Sequence, residues 1–345
     1  MAYAEPTLPK WSRCLPIALL LLAVRTSSAG AGPPVPVVDL HVDLSYQFNF
    51  KARDFAGSSG QFSVEAMRRG GVSGVVLPLF VPRDASATGP RVADLERSYL
   101  RINQALLHTP PFASAGCAKA PGAVRTFYAF EGAGPLADDP DSLLLWAKRG
   151  LRIVGLVHTY ANELASSSGD PESKPFGLTE KGRLFVRRAF AIGLVVDVSH
   201  ASDRAVADIL ALADEVHGVV VATHSNARAL ADHPRNLSDA QLRAIAATGG
   251  VIGVNFHGPF LARGRPARLR DVVRQIQHLR DVAGIEHLAI GSDFEGDIRP
   301  PEELRDASRF PRLASALAQA GFTPAEVRKI FAENALRVLC GELVD

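Results

Sequence analysis

Eight short apolar runs recur at regular intervals along the chain, and they constrain its fold more than any other feature. Most are apolar almost without interruption, which is typical of strands buried on both faces of a parallel sheet. Glycine or proline bounds many of them, as expected at strand ends. We predict strands at Val35–Leu40, Val72–Leu77, Val124–Phe130, Arg152–Val157, Leu194–Val198, Val219–Ala222, Val251–Asn255 and Leu288–Ile290.

Amphipathic stretches separate these runs and predict helices. Thr179 and Ser238 stand where helix N-caps belong, and Gly150 and Gly193 stand where helices end. The predicted helices are Ser63–Arg69, Val92–Leu107, Asp141–Arg149, Glu180–Ile192, Asp203–Leu212, Asp239–Thr248, Leu269–Ala283, Arg312–Ala320 and Pro324–Leu339. Strand and helix therefore alternate along the 345 residues, which predicts an α/β fold of the (β/α)8 TIM barrel type.

Histidine, aspartate and glutamate side chains end several of these strands. In a barrel all strands direct their C-terminal ends to one face, so such side chains would converge. An open doubly wound sheet is the competing fold, but it predicts one ligand crevice, whereas these residues are spread around the ring. Imidazoles and carboxylates are the ligands that hold Zn²⁺ or a similar divalent ion. The candidate metal ligands are His41, Asp43, Glu131, His200 and His224.

Each candidate ligand also has an ordinary structural interpretation. His41 and Asp43 are two apart, so they share a face of an extended strand, but Asp43 could simply cap the strand end. Glu131 ends a fully apolar strand, where a carboxylate is costly unless it is paired, protonated or metal-bound. It could bridge two ions, or form a salt bridge with Arg125 or a neighbour. A lone strand-end histidine is usually only hydrogen-bonded, whereas two at equivalent ends of adjacent strands favour a metal.

Three further residues suggest catalysis and substrate binding. Asp293 follows the last strand and could take a proton from a metal-bound water and pass it to a leaving group, or it could be a turn carboxylate. His158 ends the fourth strand and is either a sixth ligand or a group that steadies an oxyanion. Arg235 offers a bidentate fork for a substrate carboxylate, or is an ordinary surface arginine. The long loops 81–91 and 160–178 are expected to shape the substrate pocket.

The N-terminal residues have the layout of a secretory leader. Lys10 and Arg13 precede an apolar run, Leu15–Val24, and small residues follow it. The run is shorter than the ~20 apolar residues that span a bilayer. We therefore expect a leader over residues 1–32, a single domain over residues 33–345, and an exported (periplasmic or secreted) soluble enzyme; an uncleaved leader is the alternative.

Net charge and cysteine content place only weak limits on binding partners and on disulfide pairing. The net charge of +2 gives no electrostatic basis for binding nucleic acid or an anionic membrane, so neither partner is expected. After loss of the leader the chain keeps Cys117 and Cys340, and the sequence alone does not show whether they pair.

Taken together, these segments resemble the membrane (renal) dipeptidase family, from about Val37 to Leu339. The resemblance is densest at His41-Val42-Asp43-Leu44, Glu131-Gly132, Val196–Ser202, Thr223-His224-Ser225 and Gly291–Gly296. It implies a (β/α)8 metallopeptidase that holds two zinc ions per subunit and hydrolyses dipeptides. A homodimer is a further expectation from the family.

The resemblance also implies a role for each site residue. His41 and Asp43 would bind one zinc, His200 and His224 the other, and Glu131 would bridge them. A metal-bridging hydroxide would attack the peptide carbonyl. Asp293 would carry the proton to the leaving amine and His158 would stabilise the tetrahedral intermediate. Arg235, with Asn236 beside it, would hold the free C-terminal carboxylate.

The sequence departs from the family pattern at several positions. Leu40, Val42 and Ser45 replace the usual glycine, asparagine and proline, and Glu295 stands where the family commonly has a second aspartate. His257 replaces a tyrosine and could still donate a hydrogen bond to substrate, or could change specificity. Two other functions therefore stay open: a metal-dependent amidohydrolase acting on N-acyl amino acids or lactones, and a catalytically silent barrel used for binding.

Overall fold

Eight parallel strands form a nearly closed barrel in the computed structural model, which describes residues 1–4, 34–53, 60–85, 89–118 and 122–341. The barrel strands are β1 (Val37–Asp39), β2 (Val72–Leu79), β4 (Val124–Glu131), β5 (Leu151–Gly155), β6 (Val195–Asp197), β7 (Val220–Val221), β8 (Ile252–Val254) and β9 (Leu288–Ile290). They run in the order β7-β6-β5-β4-β2-β1-β9-β8, and a parallel bridge from Ala222 to Ile252 joins the two ends. The predicted barrel and its eight strands are confirmed. One strand was missed: β3 (Phe112–Ala115) pairs with β4 outside the ring.

The register of neighbouring strands aligns their C-terminal ends. Glu131 lies opposite Gly155, Gly155 lies opposite Asp197, and Asp197 lies opposite Val221. On the other side of the ring Asp39 lies opposite Ile290. Residues that follow these positions therefore emerge together at one rim of the barrel.

Helices surround the strands much as predicted. They are α1 (Leu44–Phe50), α2 (Val64–Gly70), α3 (Val92–Leu107), α4 (Leu143–Lys148), α5 (Glu180–Ala191), α6 (Asp203–Val216), α7 (Asp239–Ala247), α8 (Gly258–Leu261), α9 (Leu269–Ala283), α10 (Phe310–Gln319), α11 (Pro324–Arg328) and α12 (Asn334–Leu339), with a π turn at Lys329–Glu333 between the last two. The side chains of Thr179 and Ser238 cap α5 and α7 as predicted. The short helices α1 and α8 were missed because neither contains enough turns to show a period.

The opposite end of the barrel is closed by α12. Side chains inside the barrel, such as Phe127 and Ile153, form one buried cluster with Ala335 and Leu339 of this helix. Asn334 donates hydrogen bonds to the carbonyls of Ile285 and Leu288, where β9 begins. The helix therefore packs against the N-terminal ends of the strands, away from the rim that carries the acidic and imidazole side chains.

A disulfide ties this closing helix to the rest of the chain. Cys117 and Cys340 are bonded, with their Cα atoms 5.7 Å apart. The structure thus answers the question that the sequence left open.

Two further observations concern the predicted leader and the possibility of a membrane-spanning helix. Residues 33–345 form one compact unit, and the predicted leader, residues 1–32, lies almost entirely outside the described residues. Within the ranges that the structure describes, no helix combines the length and apolar character needed to cross a membrane.

Candidate metal centre and active site

His41 and Asp43 follow the end of β1 and are both buried in the barrel rim. The side chains are 2% and 7% exposed, respectively, and His41 Nε2 lies 3.6 Å from Asp43 Oδ2. The backbone N–H of Asp43 donates to the carbonyl of Phe294, which joins this segment to the segment after β9. Burial alone would lower the pKa of His41, but the carboxylates of Glu131 and Asp43 outweigh it and hold that pKa well above its ordinary value.

Glu131 is the centre of the site. The Nε2 atoms of four histidines surround its Oε1 atom, at 3.1 Å for His200, 3.4 Å for His41, 3.7 Å for His224 and 3.8 Å for His158. Burial would raise the pKa of Glu131, yet the imidazoles of His41 and His158 hold it well below its usual range. A salt bridge with Arg125 is excluded, because Arg125 lies at the opposite end of β4, where its guanidinium donates to the carbonyl of Cys117.

His200 and His224 end the adjacent strands β6 and β7. Burial and the cation of Arg235 hold the pKa of His200 well below 6.5, and burial together with the charge of His41 does the same for His224. Both rings are therefore neutral at pH 7 and keep a lone pair for a metal. His200 reaches its place through a left-handed backbone, with φ of 72°.

The donor set fits a zinc-type ion. His41, Asp43 and Glu131 each offer a ligand atom, and these atoms lie within 4.8 Å of one another; Glu131, His158 and His200 form a second such group. Among the residues that the structure describes, the buried Nε2 atom of His41 has no hydrogen-bond partner, which is costly unless an ion occupies the site. Nitrogen and carboxylate oxygen donors are those that zinc accepts.

Asp293 approaches this cluster from the far side of the ring. Its Oδ2 atom accepts a hydrogen bond of 3.0 Å from the Asn255 amide. Burial and the negative charge of Asp43 raise its pKa to about 8. Asp293 and Glu295 have φ of 65° and 70°, so this segment stores backbone strain of about 1–3 kcal/mol per residue.

Arg235 is a buried cation, not a surface arginine. It is 8% exposed, its guanidinium lies 5.6 Å from the ring centre of Phe260, and burial lowers its pKa. It lines the same cavity as Asp293 and His158. Asn236, which we expected to contact substrate, does not line the cavity: its amide donates to the carbonyls of Ala231 and Phe260 and holds the loop that presents Arg235.

His257 lines the cavity beside Phe260. Its Nδ1 atom lies 3.2 Å from the backbone N–H of Arg299, which can only donate, so the ring proton of neutral His257 is on Nε2. Burial, with His233 and Arg235, lowers the pKa of His257 to about 4. Near neutral pH His257 is therefore an uncharged hydrogen-bond donor.

The cavity itself encloses about 1570 Å³. As predicted, the two long loops form its outer walls, through residues such as Pro82 and Tyr160. Arg83 of the first loop stacks on Tyr160 and forms an ion pair of 2.8 Å with Glu172 of the second. The loops thus meet across the entrance.

The departures from the family pattern are accommodated locally. Leu40 and Val42 are buried, and the Ser45 hydroxyl donates to the carbonyl of Pro78. Glu295 pairs with Arg53 and accepts the backbone N–H of Phe62.

The sequence did not reveal the residues whose hydrogen bonds hold the candidate ligands in place. The most notable are Asp197 and Thr223, which join several strand ends by hydrogen bonds. Both stand within three residues of a candidate ligand, and that proximity was the available signal.

Comparisons with known proteins agree with this geometry. A model of the membrane dipeptidase family (peptidase family M19) matches residues 33–343. A Klebsiella pneumoniae protein described as uncharacterised, in the pqqA 5′ region, is 39% identical over 218 residues, which cover 61% of this chain and 79% of that protein.

Two solved structures share the fold over nearly their whole length. One is the dipeptidase AC, a metallopeptidase of family M19, with 29% identity and a TM-score of 0.76 over 88% of this chain and 98% of that one. The other is a Rhodobacter sphaeroides metallopeptidase bound to a phosphinate mimic of the dipeptide L-Ala-D-Ala, with 28% identity and a TM-score of 0.76 over 89% and 99%. The chain therefore belongs to the membrane dipeptidase family, peptidase family M19, and is a metallo-dipeptidase.

Proposed function

We propose that this protein is an exported dinuclear zinc dipeptidase that cleaves dipeptides with a free C-terminal carboxylate. The observation that carries the proposal is the convergence of four histidine Nε2 atoms on one oxygen of Glu131, in a cavity that also contains the buried cation Arg235. A family relative binds a mimic of L-Ala-D-Ala, which supports a dipeptide as substrate.

Five side chains would hold the metal. His41 and Asp43 would serve one zinc ion, His200 and His224 the other, and Glu131, which lies within 3.7 Å of all three histidines, would be shared. Zinc bound there would supply Lewis-acid activation of a water molecule and of the scissile carbonyl.

The remaining residues would direct the chemistry. Arg235 would orient the substrate through its carboxylate, by a bidentate pair. Asp293 would accept the proton of the attacking water and deliver it to the leaving amine, a transfer for which a pKa near the working pH is well matched. Burial lowers the pKa of His158, so its neutral ring can donate a hydrogen bond to the developing oxyanion.

Export of a single domain, residues 33–345, completes the proposal. The leader-like residues 1–32 motivate it, and the Cys117–Cys340 disulfide supports it, since such bonds persist mainly in oxidising compartments.

One observation favours a second candidate, hydrolysis of N-acyl amino acids. A cavity of about 1570 Å³ is much larger than a dipeptide and could admit a longer acyl group. Arg235 would hold the carboxylate in either case.

A paired measurement tests the proposal. Metal analysis of the purified protein is combined with hydrolysis assays on L-L and L-D dipeptides and N-acyl amino acids, with and without a chelator. We expect two zinc ions per chain and chelator-sensitive dipeptide cleavage. Two ions with cleavage of N-acyl amino acids alone would favour the second candidate, and absence of both metal and activity would indicate a silent barrel.

A further inference from the structure

We propose that the Thr223 hydroxyl is a positioning group that orients the imidazoles of His41 and His224 together and so couples the two halves of the metal centre. The hydroxyl lies 2.8 Å from His224 Nδ1 and 3.4 Å from His41 Nδ1. The two rings are themselves in contact, with centroids 3.8 Å apart. One buried oxygen thus touches a candidate ligand of each ion. The inference rests on the proposed dinuclear centre.

Asp197 sets the direction of these hydrogen bonds. Its Oδ1 atom accepts the backbone N–H groups of Ser199 and Thr223, each at 2.9 Å. Its Oδ2 atom lies 2.5 Å from the Thr223 hydroxyl. A carboxylate only accepts hydrogen bonds, so the single hydroxyl proton of Thr223 points at Asp197.

The lone pairs of Thr223 then face the two histidines, with the Ser199 hydroxyl a further neighbour at 3.4 Å. A lone pair can only accept, so each ring must present N–H at Nδ1. Nε2 is then the ring atom through which each histidine would bind a metal, and both Nε2 atoms lie on the Glu131 side, 3.4 Å and 3.7 Å from Oε1. Metal-binding histidines generally need such a partner on the second nitrogen, and its loss typically costs 10–100-fold in metal affinity.

The two contacts differ in length, which predicts unequal effects. The contact to His224 is an ordinary hydrogen bond, whereas the 3.4 Å contact to His41 is weak. Loss of the hydroxyl should therefore weaken the ion at His224 more than the ion at His41, while affecting both.

Zinc titration of the metal-free protein tests this. Thr223→Val removes the hydroxyl and keeps the shape of the side chain. We expect it to weaken zinc binding at both sites, by about 10–100-fold at the site that includes His224. Thr223→Ser retains a hydroxyl and should return affinity to within a few fold of wild type. Thr126→Val is the matched control, because Thr126 is a fully buried barrel threonine whose hydroxyl has no partner within the described residues.

A second variant reverses the hydrogen-bond direction without altering size. In Asp197→Asn the amide oxygen must stay at the Oδ1 position, where it accepts two backbone N–H groups, so the amide NH₂ faces Thr223 and donates to it. The hydroxyl proton must then turn toward the rings. Ring NMR of the metal-free protein should show His224 protonated at Nδ1 in wild type and a shift toward the Nε2–H form in this variant.

The outcomes separate this inference from the proposed function. Wild-type protein that binds no zinc would defeat the dinuclear proposal itself. Wild-type protein that binds two zinc ions, with Thr223→Val and Asp197→Asn binding them equally well, would overturn the role of Thr223 alone. An Nε2–H form of His224 in wild type would overturn it as well.

Discussion

The Nε2 atoms of His200 and His224 lie 2.9 Å apart. Two nitrogen ligands of one tetrahedral zinc ion, each about 2.0–2.1 Å from it, are about 3.3 Å apart, so the pair needs only a small opening to share an ion. Both rings are neutral at pH 7, so one of the two nitrogens can donate its proton to the other in the metal-free protein. A shared ion would replace this single hydrogen bond with two metal–nitrogen bonds.

Removal of metal should destabilise the whole domain. Because the metal binds the folded chain, an ion at 1,000 times its dissociation constant adds about 4 kcal/mol to the free energy of unfolding. We expect dialysis against chelator to lower the melting temperature, and readdition of Zn²⁺ to restore both stability and activity. Unchanged melting in fully metal-depleted protein would contradict this.

Much of the fold was readable from the sequence because its signals are local. Buried parallel strands are apolar along their whole length, and cap residues such as Thr179 and Ser238 mark helix starts. The strand β3 was missed because Phe112–Ala115 is short and lies outside the barrel. The pairing of Cys117 with Cys340 was not readable, since it depends on where α12 packs.

The convergence of the candidate ligands at one rim was readable for a related reason: strand ends are fixed by the apolar runs, and one rim collects them. The contacts that hold the surrounding residues in place were not readable from the sequence. The contact between Glu295 and Arg53 joins residues 242 positions apart, and Asn236 turned inward to hold its own loop. Such contacts depend on loop paths that leave no periodic pattern in the sequence.

Arg235 should control binding of the substrate carboxylate. Truncation of one partner of a buried charged pair costs about 2–5 kcal/mol, so Arg235→Ala should lower kcat/KM for dipeptides by about 30-fold or more. Dipeptide amides, which lack the carboxylate, should be poor substrates for wild type and little affected by the change. The control is Arg263→Ala, at an exposed arginine that pairs with Asp232. Equal losses for acids and amides would remove Arg235 from carboxylate recognition.

Glu295 should hold Asp293 in its strained conformation. It is 3% exposed, pairs with Arg53 and accepts the Phe62 N–H, so it anchors the left-handed segment. Glu295→Gln keeps the size but loses the charge, and we expect kcat to fall about tenfold with little change in KM, since an anchor of this kind acts through geometry.

A surface pair provides the comparison for Glu295. Glu286 pairs with Lys329 on the exposed side near the start of β9. Glu286→Gln should leave kcat unchanged. If the two variants behave alike, Glu295 has no special effect on Asp293.

The Cys117–Cys340 disulfide should stabilise the closed end of the barrel without touching the chemistry. It links positions 223 residues apart, and removal of a native disulfide typically costs 2–5 kcal/mol. The double change Cys117→Ser with Cys340→Ser should lower the free energy of unfolding by that amount and leave kcat/KM unchanged. Reductant should destabilise wild type and have no effect on the double variant; a wild type insensitive to reductant under denaturing titration would argue that the bond does not form.

His257 should make the protein less stable in mild acid. Its pKa is lowered to about 4 in the folded state, below the ordinary 6.5, so between those values the unfolded chain binds a proton that the folded chain does not. The His257 contribution therefore lowers stability as pH falls from about 6.5 toward 4. Below pH 4 this residue causes no further loss. The full shift corresponds to about 3 kcal/mol, and because the ring is partly exposed to solvent we expect roughly 1 kcal/mol. Urea unfolding at pH 7, 6 and 5 should show a smaller decline in the free energy of unfolding for His257→Gln than for wild type. His108→Gln, at an exposed histidine, is the reference variant. Parallel declines for all three proteins would mean that His257 is not held neutral by its surroundings.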